Sequence, residues 1–158
     1  MVQSIAGVLD GLYASFGTIF AGQVGTDKSP VLVSFGDPGQ YQPSAIVAIM
    51  DTTTAISRPT MGTNRSREMA ADVTVVISVY TPGDESAQQV STDCAFGLLT
   101  VLENNLRASP NERLGEASRD AWVSKADPIA TVATDPASGA PTGRVTEIHV
   151  VVTAVIRY

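Results

Sequence analysis

Two stretches of the chain alternate apolar and polar residues with a period of two. In the first, Val73, Val75, Ile77 and Val79 point one way, and Asp72, Thr74, Val76, Ser78 and Tyr80 point the other. In the second, Ile148, Val150, Val152, Ala154 and Ile156 share a face opposite Glu147, His149, Val151, Thr153, Val155 and Arg157. This period predicts half-buried strands over 72–80 and 144–158. Shorter strand candidates are Val31–Phe35, Ala121–Ala126 and Ile129–Thr134. Residues 45–50, Ala-Ile-Val-Ala-Ile-Met, are apolar at every position, which predicts a strand covered on both faces.

Two other stretches carry the helical period. Val2, Ile5, Leu9, Leu12, Tyr13 and Phe16 recur at spacings of three and four, predicting an amphipathic helix over 2–16. Gly7, Gly11 and Gly17 weaken it, each by about 1 kcal/mol relative to alanine if it lies in the helix interior. The second helix is predicted over 82–107. Thr81 is placed to cap it, Pro82 suits the first helical position, and Asp84 and Glu85 favour the positive end of the dipole. Its main buried stripe reads Ala87, Val90, Cys94, Leu98, Val101 and Leu102, widened by Phe96, Leu99 and Leu106.

Gly36-Asp37-Pro38-Gly39 and the stretch from Asp135 to Pro141 read as turns or loops. The order helix, strands, helix, strands predicts an α+β fold, with an antiparallel or mixed sheet packed against two helices. The length of 158 residues fits one domain, 1–158.

The stretch from Asp51 to Arg67 has no clean period and reads as a long loop or the tip of a long hairpin, and the most informative feature of the chain is residues 52–68. They hold Arg58, Arg65 and Arg67 against one acid, Glu68, in a chain whose net charge is −6. Ile56 and Met61 are the segment's large apolar residues, so it builds no core of its own. It is expected to be an arm that docks on an acidic neighbour.

Charged residues make up 16% of the chain, against about 25% in a typical domain, which favours surface meant for burial against partners. The net acidity argues against specific nucleic-acid binding and against docking on an anionic membrane. No apolar run reaches the roughly 20 residues of a membrane helix. A single cysteine, Cys94, precludes an internal disulfide and fits a reducing compartment such as a bacterial cytoplasm.

The search for chemistry finds no catalytic residue, no metal site and no cofactor motif. His149 is the one histidine and cannot supply a multi-histidine metal site. Cys94 falls in the predicted buried stripe and reads as a small apolar residue. Phosphate-binding, zinc and nucleophile-elbow motifs are absent. The protein is expected not to be an enzyme.

Taken in order, these features resemble the tail terminator proteins of long-tailed bacteriophages, particularly those infecting actinobacteria. The resemblance rests on the N-terminal helix, the strand ending in Phe35-Gly36-Asp37-Pro38 and the arginine-bearing excursion at 52–68. It continues through the strand Asp72–Tyr80 closed by Thr81-Pro82-Gly83-Asp84, the helix Glu85–Arg107 and the final strand 144–158. It lies in order and texture rather than in an invariant motif, and covers nearly the whole chain.

The resemblance implies a homohexameric ring on the head-proximal end of the virion tail, assembled in the host cytoplasm. Its partners would be further copies of itself, the tail tube protein and a head–tail connector or stopper protein. The ring would stop tube polymerisation and let DNA pass without specific binding. The alternatives are a head–tail stopper or a tail tube subunit, or a small ligand-binding or enzyme domain.

Overall fold

The computed structural model describes residues 3–40, 42–56 and 68–157. Among them, helix α1 (Ile5–Ile19) is followed by strands β1 (Leu32–Phe35), β2 (Ala45–Ile56) and β3 (Glu68–Pro82). Helix α2 (Glu85–Arg107), a 3-10 turn (Asn111–Arg113) and strands β4 (Asp120–Thr134) and β5 (Pro141–Arg157) complete the order. The strands form one five-stranded sheet in the order β1-β2-β3-β5-β4. It is mixed: β1 lies parallel to β2, and the other pairs are antiparallel. Both helices pack on one face of it, as an α+β fold requires.

The two strands with the plainest period form the centre. Val73, Val75, Ile77 and Val79 are fully buried, as are Ile148, Val150, Val152, Ala154 and Ile156 on the neighbouring strand. The strands pair over their whole length, from Glu68↔Arg157 to Pro82↔Gly143.

Several element boundaries differ from the sequence reading. Helix α1 begins at Ile5 because Ser4 caps it, its hydroxyl accepting from the Gly7 amide at 3.0 Å. The helix then buries Val8, Leu12 and Phe16, with Phe20 just beyond. Tyr13 falls outside that stripe and is 45% exposed, resting edge-on against Phe35 at 6.0 Å between ring centroids. Gly11 has a packing reason for its place, since a Cβ there would stand 2.6 Å from the Leu114 carbonyl oxygen.

Thr81 and Pro82 do not start α2. Both still belong to β3, paired with Arg144 and Gly143. Gly83 turns the corner at φ +125, a conformation open to glycine, and Asp84 is the cap. Its carboxylate accepts from the Ser86 amide at 3.2 Å and the Ser86 hydroxyl at 2.9 Å. These bonds, the hydroxyl first, hold the Asp84 carboxyl below its ordinary range.

The buried stripe of α2 is also turned from the predicted one. It runs Ala87, Ser91, Ala95, Leu98, Leu99, Leu102 and Leu106, leaving Val90 and Phe96 exposed and Cys94 half-buried. Ser91 can occupy the seam because its hydroxyl is satisfied. It lies 2.8 Å from Thr81 Oγ1 and 3.2 Å from the Arg144 carbonyl oxygen. Buried Thr146 is met in the same way by the Gln88 amide at 2.9 Å.

The candidates 121–126 and 129–134 are one strand, β4. A bulge lies between Val123 and Lys125, and Pro128 is tolerated because β4 is an edge. Strand β2 runs past 50 to Ile56, so the connection to β3 shortens to 57–67. Nor is β2 covered on both faces. Ala45, Val47 and Ile49 are buried in the core, but on the other side only Ala48 is buried, Ile46 is half-buried and Met50 is 42% exposed.

Candidate functional site

The face of the sheet away from the helices is not covered by any described element. The pleat that sends Val75 and Val150 into the core brings their neighbours to this face in cross-strand rows. One row reads Ala48, Val76, His149 and Asp127 across β2, β3, β5 and β4, and another reads Ile46, Ser78, Glu147 and Ile129. The loop after β1 walls one side with Asp37, Pro38 and Gln42, leaving a shallow groove floored by Ile46, Ala48, Met50 and Val76. Gly36 makes that loop possible, at φ +84 directly after Phe35.

Several polar side chains on this face contact one another. His149 Nε2 lies 3.3 Å from Glu147 Oε2, and Lys125 Nζ lies 3.0 Å from Asp127 Oδ2. The Thr153 hydroxyl donates to Asp72 at 2.7 Å. No hydroxyl or thiol hydrogen-bonds to His149 among the described residues. Also among the described residues, no three His, Cys, Asp or Glu side chains gather as metal ligands. No helix there is long and apolar enough to cross a membrane. Cys94 sits on α2, away from this face, and burial raises its thiol above the ordinary value.

Both edges of the sheet are unpaired among the described residues. At one edge, β1 presents Phe35 beside Tyr13. At the other, β4 exposes Trp122, Ile129 and Val132. Only the strand candidates marked this second surface in the sequence. Its exposure follows from β4 lying at the margin, which local patterning does not reveal.

Arg58, Arg65 and Arg67 of the candidate arm lie outside the described residues. Glu68 is described and belongs to the body of the sheet, as the first residue of β3 and ion-paired with Arg119. Residues 57–67 contain those arginines and no acid.

A polar staple that the sequence reading missed closes the connection between α1 and β1. Asp27 Oδ1 accepts from the hydroxyls of Ser29 and Ser44, each at 2.5 Å, and from the Ser29 amide at 3.0 Å. These bonds lower the Asp27 carboxyl to about 2, the Ser29 hydroxyl contributing most. The Thr26 hydroxyl donates to the Tyr80 carbonyl at 2.8 Å, tying the same loop to β3. The signal was present as Thr26-Asp27-Lys28-Ser29, a run of turn-forming residues, but Ser44 joins it only through the fold.

No family model matches the chain, and no curated protein matches it. Among solved structures it is similar to a chain described as "Virion of native gene transfer agent (GTA) particle". The two are 18% identical, with 97% of this chain and 93% of the other covered, at a TM-score of 0.46. At that identity and TM-score the likeness says nothing of what this chain does.

Proposed function

We propose that this chain is a structural virion protein of a long-tailed bacteriophage, acting as its tail terminator. Six copies form a ring on the head-proximal end of the tail tube, stop its polymerisation, join it to the head connector and let DNA pass. The reading includes no catalytic step and no cofactor. Its partners are copies of itself, the tail tube protein and the connector or stopper.

The observation that carries the reading is a sheet that, among the described residues, is exposed on one face and at both edges. A sheet edge is a template for another strand, and the two edges here are different surfaces. When unlike surfaces of identical copies meet, the contact is heterologous, and such contacts close into rings when the rotation allows. The order of elements that resembles terminators supports the same reading, as does the low charge of the chain.

Electron microscopy of the concentrated purified protein, alone and mixed with isolated tails, tests the proposal. The expected result is closed rings of six, or a single ring at one end of each tail. Extended tubes would assign the chain to the tube instead. A strict monomer that also fails to bind tails would overturn the ring reading.

A further inference from the structure

Helix α2 has an outward face that nothing in the described chain covers. Gln89, Val90, Asp93, Phe96, Gly97 and Thr100 are all exposed along it. Between Ser86 and Leu102 its one charged residue is Asp93. A helix face that stays in water ordinarily carries polar and charged residues along its length. Here Val90 is 50% exposed and Phe96 is 40% exposed.

Gly97 is a separate observation. It lies in the interior of a 23-residue helix, where glycine is less favourable than alanine. A Cβ at this position would meet nothing within 4 Å. No neighbour within the described chain therefore requires glycine here. What glycine offers is close approach by another backbone, beside the apolar flanks of Phe96 and Val90.

We propose that this face receives residues 57–67 of a neighbouring copy of the chain. The argument for that occupant is charge. Asp93 and Glu85 project from α2 and form no ion pair among the described residues. The 57–67 segment carries Arg58, Arg65 and Arg67, no acid, and the apolar Met61. Guanidinium groups bind carboxylates with paired hydrogen bonds, and Met61 matches the apolar flanks of Gly97. The inference rests on the ring reading, in which each copy offers one α2 face and one 57–67 segment to different neighbours.

The test is self-association of the full-length protein at low salt, by sedimentation equilibrium, or on isolated tails if the free protein stays monomeric. Four variants are compared with wild type: Gly97→Gln, Asp93→Arg, the triple change Arg58→Glu, Arg65→Glu and Arg67→Glu, and that triple combined with Asp93→Arg. The first three should weaken assembly several-fold with unchanged far-UV circular dichroism. The combined variant should recover much of the loss, and added salt should weaken the wild type.

A triple variant or a Gly97→Gln variant that assembles as tightly as wild type overturns the inference and leaves the ring reading standing. Charge reversal that lowers the melting temperature while association is unchanged would place the segment on its own chain, which also overturns it. Wild-type protein that neither self-associates nor binds tails defeats the ring reading itself.

Discussion

Leu98 and Val90 sit eight residues apart on α2, and sequence spacing predicts a buried position for both. The structure separates them: Leu98 is 3% exposed and Val90 50%. Truncating Leu98 to alanine removes the equivalent of about three methylene groups from the seam between α2 and the sheet. At about 0.8 kcal/mol each, transfer alone accounts for roughly 2.4 kcal/mol. The cavity left beneath a helix held on β3 and β5 adds to that, so Leu98→Ala should lose ~2–5 kcal/mol. Val90→Ala removes a half-exposed side chain and substitutes a better helix former, so it should change stability by less than ~0.5 kcal/mol. Urea unfolding followed by circular dichroism measures both, at protein concentrations low enough that self-association adds nothing to the midpoint. Equal losses from the two variants, or a loss below ~1 kcal/mol for Leu98→Ala, would mean that α2 presents a different face to the sheet.

Four further outcomes are expected. The Asp27 carboxyl is lowered in the folded protein from 3.8 to about 2, so its contribution to stability is full above the ordinary value and lost as pH falls towards 2. The gap in unfolding midpoint between wild type and Asp27→Asn should accordingly shrink from pH 5 to pH 2, and a gap that is constant across that range would refute the staple. Gly143→Ala should destabilise by ~1–3 kcal/mol, because its Cβ would stand 2.5 Å from the Thr81 carbonyl oxygen and 2.7 Å from the Tyr80 ring. Its urea midpoint shows this directly. Cys94 should react more slowly with a thiol reagent at pH 8 than an unfolded control, since burial raises its pKa. Cys94→Ala and His149→Gln should keep the fold and the assembly, as read by circular dichroism and by tail capture.

The central strands were legible because their apolar residues are β-branched and strictly alternate, and a period of two admits one assignment of faces. Helix phase was less legible for a physical reason. Ten apolar side chains on a 23-residue helix can be grouped into stripes that differ by one position. Only the satisfied hydroxyl of Ser91 and the small Ala87 and Ala95 decide which stripe faces the sheet. A scan for apolar residues reads Ser91 as outward and Val90 as inward, the reverse of what the packing selects. The same limit applied at Thr81-Pro82, where good capping chemistry lay in a strand held by its partner β5. Local propensity there yielded to a ladder whose other half lies some sixty residues away.

The candidate surfaces divide along the same line. The open face of the sheet could be read from the mixed side of β3 and β5, since Ser78, Glu147 and His149 already excluded a second apolar layer. The groove wall of Asp37, Pro38 and Gln42 could not, because it depends on β1 lying parallel to β2 and on the path of the loop between them. The exposed side of α2 follows from the helix phase that packing selects, which spacing alone does not give. Once Val90 and Phe96 moved from core to surface, the low charge of the chain acquired a location. Apolar side chains that spacing predicts to be interior lie on an outward helix face, with Gly97 between Phe96 and Thr100 and no packing partner among the described residues. A surface that spends helix stability on a glycine and leaves two large apolar side chains in water is poorly suited to a chain acting alone, and well suited to one that is covered on assembly.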